Sequence, residues 1–199
     1  MINLVFFICL SIFLAVCLNS VIGLRIGFKI DSKSMRKTSR RSSEKRKNDI
    51  SEKINWLLDL YPGFNRTDFL DKASKAFGVI FSAYAEGDKN TLAQLLSGRI
   101  YDAFCRAIDD RNGRGEKLEG VLVRFIKSEI VDIKIDGDDL FANVKFITEQ
   151  SNALKNAAGE VLEGNLDYIE VRTDLWTFHR KKSSRDPRWL LYEIKNLNS

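Results

Sequence analysis

The chain has 199 residues, of which 44% are hydrophobic and 30% charged, so it is long enough to form one hydrophobic core. Its net charge of +5 is unevenly spread: residues 1–24 carry no charged group, residues 25–47 carry a local +8, and residues 48–199 carry 22 basic and 25 acidic groups. The basic character therefore comes from residues 25–47 and gives no support for direct nucleic-acid binding by the domain that follows. Three widely spaced cysteines provide neither a disulfide framework nor zinc-ligand spacing.

An uncharged apolar segment runs from Leu4 to Leu24. As a helix it would be about 30 Å long, which matches the hydrocarbon core of a bilayer, and we predict a transmembrane anchor over residues 1–24. Two alternatives stay open, a signal peptide cleaved near Gly23 and a lipoprotein signal ending at Cys17. Basic residues follow the segment and none precedes it, so the positive-inside rule predicts a cytoplasmic C-terminal domain.

The basic residues after the apolar segment predict a disordered stalk over residues 25–49. Five of them are predicted to lie close to the membrane: Lys33, Arg36, Lys37, Arg40 and Arg41. Near anionic lipid headgroups each such charge contributes about 1 kcal/mol of attraction. The alternative is that the run only sets the orientation of the chain and serves as a spacer.

Apolar residues recur at helical spacing over residues 50–63, before the Pro62-Gly63 break. They are Ile50, Ile54, Leu57, Leu58 and Tyr61. The spacing predicts an amphipathic helix, whose apolar face lies in the membrane interface or docks on the domain or on a partner.

Residues 64–199 are predicted to form the folded domain, and its first half is helical. Apolar residues at spacings of three and four predict a first helix that is capped by Thr67 and ends before Gly87. Two shorter helices are predicted over Asn90–Leu96 and Ile100–Arg111.

The second half changes to the period of two that is typical of strands. Four strands are predicted, around residues 131–135, 142–146, 166–181 and 189–195, with a turn at 136–139 and a hairpin at 156–159. Helices followed by an antiparallel meander predict an α+β fold, in which N-terminal helices pack on a four-stranded antiparallel sheet.

No catalytic arrangement is apparent in the sequence. His179 has no Ser or Cys placed near it as a nucleophile, and Asp109 and Asp110 are adjacent on a helix and so point about 100° apart. Gly113-Arg114-Gly115 lacks the Lys-Ser/Thr of a phosphate loop and is typical of a helix-ending turn. We therefore predict a protein that is not an enzyme and that has no metal site and no cofactor.

Two consecutive stretches carry a family resemblance: Asp174-Leu175-Trp176-Thr177-Phe178-His179-Arg180 and Ser184-Arg185-Asp186-Pro187-Arg188-Trp189-Leu190. Their pattern, D-x-W-T-F-x-R followed by S-x-D-P-x-W-x-L, resembles the signature that closes the Tim44-like (TimA) domain. Earlier residues agree with it, among them Ala83 to Asp88 and Leu95-Leu96-Ser97. The likeness covers about residues 64 to 193.

The resemblance implies a cone-shaped, NTF2-like domain with a large apolar pocket, in a membrane-anchored relative of the mitochondrial import-motor adaptor. It implies an adaptor of the bacterial inner membrane in protein translocation or membrane-protein biogenesis. The implied partners are anionic lipid and a protein such as a translocase, chaperone or ribosome. The alternatives are a ribosome-associated membrane tether and an NTF2-like enzyme.

Aromatic residues on the predicted helices and strands are candidates for the lining of a ligand or lipid pocket. They are Phe77, Phe81, Tyr101, Phe104, Trp176, Phe178 and Trp189. The alternative interpretation is that they pack in an ordinary hydrophobic core.

Overall fold

The computed structural model describes residues 48–49, 51–55 and 64–197. Over residues 64–197, three helices are followed by four strands: α1 Arg66–Glu86, α2 Lys89–Leu95, α3 Gly98–Gly113, β1 Lys117–Asp136, β2 Asp139–Lys155, β3 Val161–Lys181 and β4 Leu190–Asn196. The strands form one antiparallel sheet in the order β1-β2-β3-β4, with the helices packed on it. The predicted α+β fold is confirmed, whereas the cone-shaped, NTF2-like comparison stays a prediction.

Helix α1 begins two residues earlier than the sequence suggested. Its N-cap is Asn65, whose side-chain oxygen accepts hydrogen bonds from the backbone N–H groups of Thr67 and Asp68 at 2.8 and 3.0 Å. The prediction of Thr67 as the cap is wrong, because Thr67 lies inside the first turn. The predicted end is confirmed: Gly87 takes a left-handed conformation (φ 77°), which costs glycine little.

The four predicted strands are present: β1, β2 and β3 are longer than predicted, and β4 has the predicted length but begins one residue later. Strand β1 differs most. It begins at Lys117, 14 residues before the predicted start at Val131. Register shifts occur along it, between Leu122 and Arg124 and between Phe125 and Lys127. Each shift interrupts the alternation of buried and exposed side chains. Before the shifts the exposed positions hold apolar residues, Val121 and Val123, so a period of two is not visible in the sequence there.

The centre of the sheet supplies the core. Ile130, Val144, Trp176 and Ile194 lie opposite one another across all four strands, and each is at most 5% exposed. The inner face of α1, including Phe77, packs against this row. Burying aromatic and branched aliphatic side chains in this way contributes about 1.5–3 kcal/mol each.

Strand β3 extends well beyond its neighbour β4, which pairs only with the part from Asp174 to His179. In the extension, the partners on β3 jump from Glu170 to Asn165, so that residues 166–169 bulge out of the ladder. Tyr168 within this bulge is 64% exposed. The far end of β3 therefore presents apolar side chains to solvent.

Part of the predicted helix over residues 50–63 is described. Residues 51–55 are helical, and Ile54 is buried in the domain core. The Lys53 ammonium group donates a hydrogen bond to a carboxylate oxygen of Asp132 on β1 at 2.7 Å. Among the alternatives for this segment, these contacts favour docking on the domain, while residues 56–63 lie outside the described part.

The predicted localisation, a single-pass protein of a bacterial inner membrane with a cytoplasmic domain, is contradicted. In the described part of the chain, no helix is both long and apolar enough to cross a bilayer. The longest one, α1, carries six charged residues, which a hydrocarbon core accepts only at high cost. The span predicted over residues 1–24 and most of the stalk predicted over residues 25–49 lie outside the described residues.

Candidate functional site

An apolar cavity lies between the helices and the far half of the sheet. Its walls come from α1, α3 and strands β1, β2 and β3. The cavity has a volume of about 80 Å³. This is room for about five water molecules or for a small apolar group. A cavity with apolar walls and few polar groups is the usual form of a small-molecule site.

The apolar wall is built from aromatic rings. The Phe77 and Trp176 rings stack with their centroids 4.3 Å apart and their planes 27° apart. Phe81 continues the stack one helical turn further along α1, 6.5 Å from Phe77. Tyr84 meets Phe104 of α3 edge-on at 5.0 Å. This wall is rigid, because each ring is held by a neighbouring ring as well as by its own helix or strand.

The β1 wall approaches the aromatic stack closely at Gly120. A Cβ atom at this position would lie 2.9 Å from the Phe81 Cζ atom. Glycine is therefore required here for Phe81 to keep its place beside the cavity.

The cavity also has polar lining, and its most unusual member is Arg111. This side chain is a cation on the buried face of α3, and the residue is only 5% exposed. Its Nη2 atom donates hydrogen bonds to the carbonyl oxygens of Tyr84 and Ala85 at 2.9 and 3.1 Å, and its guanidinium carbon lies 5.2 Å from the Tyr84 ring centre. Burial lowers the pKa of Arg111 from its ordinary value.

Two further polar groups lie beside Arg111 in the wall. The Glu116 carboxylate is held by Arg114, whose Nε and Nη2 atoms donate to its two oxygens at 2.9 and 2.8 Å. Gln150 of β2 is 2% exposed and its amide lies 3.5 Å from the Thr148 hydroxyl. Arg114, Asn152, Glu163 and Arg172 also line the cavity, so a mainly apolar wall carries a polar part.

The structure separates the aromatic residues that were predicted to line a pocket. Phe77, Phe81, Phe104 and Trp176 line the cavity. Phe178 and Trp189 pack on Phe69 in the core, with centroids 6.1 and 5.2 Å from its ring, and Tyr101 lies outside the lining. Ligand binding by the cavity stays a prediction.

The burial of Arg111 was not predicted, although the sequence contains a signal for it. Arg111 follows Phe104 by seven positions and Ile108 by three, so it falls on the apolar face of α3. A charged residue at that spacing either is buried with the apolar face of the helix or lies beside that face. The run of polar residues after it, including Asn112 and Arg114, made it appear to be part of an exposed helix end.

The predicted membrane-proximal basic residues lie outside the described residues, so the structure says nothing of their placement. They are Lys33, Arg36, Lys37, Arg40 and Arg41.

The second half of the closing signature forms a turn stabilised by its own side chains. The Asp186 carboxylate accepts hydrogen bonds from the Arg188 backbone N–H and guanidinium group at 2.6–3.0 Å, and the Ser184 hydroxyl accepts one from the Asp186 backbone N–H. Arg188 holds the pKa of Asp186 at about 2. This turn carries Trp189 onto Phe69, so these signature residues serve the fold.

His179 lies away from the cavity lining. A carboxylate oxygen of Asp139 is 2.6 Å from its Nε2 atom, and its ring packs beside those of Phe141 and Tyr192, with centroids 4.9 and 5.6 Å away. Within the described residues, no group of three or more His, Cys, Asp or Glu side chains is placed to hold a metal ion. These surroundings are those of a histidine that stabilises the sheet surface.

The fold and the site together define the class, an α+β domain with a mainly apolar cavity between its helices and its sheet. The chain belongs to the Tim44-like domain family, which it matches over residues 51–196. It is 22% identical over 136 residues to the mitochondrial import inner membrane translocase subunit TIM44-1 of Arabidopsis thaliana. That match covers 68% of this chain and 29% of the relative.

Among solved structures, the chain is similar to the intermembrane space region of the chloroplast protein ARC6. The TM-score is 0.49 and the sequence identity 14%, and the match covers 68% of this chain and 98% of that one.

Proposed function

We propose that this protein is an adaptor that binds a protein partner during protein translocation or membrane-protein biogenesis. The observation that carries the proposal is the family match over residues 51–196, which includes the whole described domain. The similar Arabidopsis protein is a subunit of an import translocase. We propose the same kind of role here because the two proteins are similar over 136 residues. The proposal is one of binding and not of catalysis.

The far end of the sheet is a suitable surface for the protein partner. Val121 and Tyr168, from β1 and β3, are 51% and 64% exposed, and Val171 is 54% exposed. Exposed apolar surface marks protein interfaces where it is contiguous, and tyrosine is enriched among the residues that contribute most to binding. A photoreactive residue on this surface can therefore crosslink the partner.

Site-specific photocrosslinking in cells tests the proposal. A photoreactive phenylalanine replaces Tyr168, and in a matched variant it replaces Tyr192, which is 42% exposed on β4. We expect crosslinks from Tyr168 to a translocase subunit or a chaperone. Crosslinks only to ribosomal proteins would instead support a ribosome-associated tether, and the absence of any protein crosslink from both positions would contradict the adaptor function.

A second partner, anionic lipid, is proposed for the basic stretch. The support is electrostatic: residues 25–47 carry ten basic and two acidic groups, while residues 48–199 are close to neutral. Any contact made by the domain itself would depend on local groups, because its net charge is small.

A further inference from the structure

The sheet carries an exposed apolar area at the far end of its outer face, the face turned away from the helices. Gln150 and Asn152 of β2 line the cavity on the helix side, so Ser151 between them points outward. Val121 of β1 is paired with Ser151 and is 51% exposed. The β3 bulge at residues 166–169 lies opposite Ser151 on the other side of β2. Val121 and the bulge therefore lie in one row across the sheet.

Four apolar residues in and beside this row are 44–64% exposed, and we call the surface that they form the far outer face. They are Val121, Val123, Tyr168 and Ile169. Exposed apolar side chains grouped in this way mark an interaction surface.

The part of β3 that supplies the bulge is acidic. Residues 160–170 contain four acidic residues and no Lys or Arg. They are Glu160, Glu163, Asp167 and Glu170. Of the four, only Glu170 has an ion pair among the described residues, with Arg172 at 3.3 Å. An occupant that matches both the apolar surface and this charge is apolar and basic.

The basic side chains on the neighbouring strands are bonded to other carboxylates. Arg124 of β1 donates to the two carboxylate oxygens of Glu149 at 2.7 and 2.6 Å. The Lys155 ammonium group of β2 donates to Glu119 at 2.6 Å. The negative charge of residues 160–170 is therefore left for an occupant to balance.

The same chain contains a segment with the required character. Ile26, Phe28 and Ile30 alternate with other residues, two of which, Arg25 and Lys29, are basic. In an extended chain, residues two positions apart lie on one side, so the three apolar side chains can pack on a flat surface together. The long basic side chains can then reach the carboxylates around that surface.

The length of chain allows this segment to reach the far outer face. Lys53 is bonded to Asp132 of β1, which places the end of the connecting chain on the domain. Along β1 the distance from Asp132 to Val121 is about 36 Å, at about 3.3 Å per residue. The chain from Ile30 to Asn48, the first described residue, spans about 60 Å when extended. The connection is therefore longer than the distance it has to cover.

We propose that residues 25–30 occupy the far outer face of their own domain. Their apolar side chains pack on Val121 and Tyr168, and their two basic side chains pair with carboxylates of residues 160–170. The inference deepens the proposed function and rests on it in one respect: the segment covers the surface proposed for the protein partner, so partner binding must displace it. The occupancy itself needs no partner.

Photocrosslinking in the purified full chain tests the proposal. A photoreactive phenylalanine replaces Tyr168, and in the matched variant it replaces Tyr192 of β4. Isotope-labelled and unlabelled chains are irradiated together, so that mass spectrometry distinguishes a crosslink within one chain from a crosslink between two. We expect the Tyr168 position, and not the Tyr192 position, to crosslink to residues 25–30 of the same chain.

Two results of this experiment would overturn the proposal. Crosslinks that join labelled to unlabelled chains would show that a second copy occupies the face, and the absence of crosslinks to residues 25–30 would show that this segment does not. The two proposals can fail separately: an internal crosslink without partner capture in cells would contradict only the adaptor function, and partner capture without an internal crosslink would contradict only this inference.

A variant of the segment shows whether its apolar side chains are responsible. Replacing Ile26, Phe28 and Ile30 by serine should lower the yield of the internal crosslink at least about fivefold, since their burial on the sheet drives the contact. These three residues lie outside the described domain, so the substitutions leave its core intact. An unchanged yield would contradict the assignment.

A variant of the domain tests the charges. Glu160→Gln combined with Asp167→Asn removes two exposed carboxylates beside the face and should lower the yield at least about threefold. The control, Glu86→Gln combined with Asp110→Asn, removes two exposed carboxylates from α1 and α3 and should leave the yield unchanged. Equal yields in the two variants would show that the acidic residues of β3 do not hold the segment.

Discussion

Asp174, the first residue of the closing signature, is a buried carboxyl group in the sheet. It is 3% exposed, and one oxygen accepts a hydrogen bond from the Asn196 side chain at 3.2 Å. Burial raises its pKa from the ordinary 3.8 to about 6. The folded protein therefore holds this proton at pH values where the unfolded chain has released it.

This shift predicts a pH dependence with a definite sign. Between about pH 4 and pH 6 the folded state binds more protons than the unfolded state, so the contribution of Asp174 to stability is lost as the pH rises through about 6. The difference between a pKa of 3.8 and one of about 6 corresponds to a contribution of about 3 kcal/mol at most to the free energy of unfolding. Urea unfolding across this range should show that Asp174→Asn loses this slope relative to the unmodified chain.

A matched control for this prediction is Asp110→Asn, which makes the same chemical change at an exposed position on α3. It should keep the slope of the unmodified chain. If the unmodified chain and Asp174→Asn have the same pH dependence, Asp174 does not hold a proton in the folded state.

Phe77 connects α1 to the sheet and to the cavity wall, and it is 2% exposed. Phe77→Ala should lower the free energy of unfolding by about 3–5 kcal/mol, because it removes the ring and leaves a hole beside Trp176 and Phe146. Val79 is two positions away on the same helix and 46% exposed. Val79→Ala should change the free energy by less than about 0.5 kcal/mol, and similar losses for both variants would contradict this packing.

At the scale of elements, strand β3 depends on a close approach at Gly164. This residue has φ 79°, and a Cβ atom on it would lie 2.3 Å from the Asn152 carbonyl oxygen of β2. Gly159 in the preceding turn also has a positive φ, 85°, but has open space around it. Substitutions at these two glycines therefore distinguish the energetic cost of the backbone conformation, present at both positions, from the cost of a steric clash, present only at Gly164.

Gly159→Ala should cost about 1–2 kcal/mol, because alanine resists the left-handed conformation. Gly164→Ala should cost more, since the clash with the backbone of β2 is added to the same conformational cost. Chemical denaturation of both variants gives the difference. Equal losses would show that β2 and β3 are not held in this register.

The elements also show how far the sequence predicts this fold. The helices were predictable because apolar residues recur at spacings of three and four. The end of α1 was predictable because Gly87 is a residue that readily adopts the left-handed conformation. The first half of β1 was not, because apolar Val121 and Val123 occupy exposed positions and register shifts follow them. In β3 the bulge at residues 166–169 breaks the alternation.

The candidate site was predictable only in its apolar part. Phe77, Phe81, Phe104 and Trp176 follow the periods of their helix or strand and so were expected inside. Periodicity could not distinguish them from Phe178, which has the same pattern but packs away from the cavity. Arg111 was missed because its burial results from the end of α1 lying against α3, a tertiary contact that no local pattern reveals.

At the scale of the whole molecule, charge is segregated between the basic stretch and a nearly neutral domain. Cosedimentation with vesicles of anionic and of neutral phospholipid tests whether this matters. Replacing five basic residues by glutamine should reduce the preference for anionic vesicles at least tenfold, since each charge near the surface contributes about 1 kcal/mol. The residues are Lys33, Arg36, Lys37, Arg40 and Arg41.

The control for the vesicle experiment removes the same number of charges from exposed positions of the domain. They are Arg66, Lys72, Lys75, Arg99 and Arg106. This variant should keep its preference for anionic vesicles. An equal loss in both variants would show that the lipid interaction follows total charge and not the basic stretch.

The central claim, a role in protein translocation, is tested most directly by following precursor proteins in cells depleted of this chain. Pulse-chase labelling measures how fast newly made precursors cross or enter their target membrane. We predict that precursors accumulate on depletion and that the full chain restores their transport. Normal precursor transport in fully depleted cells would contradict the claim.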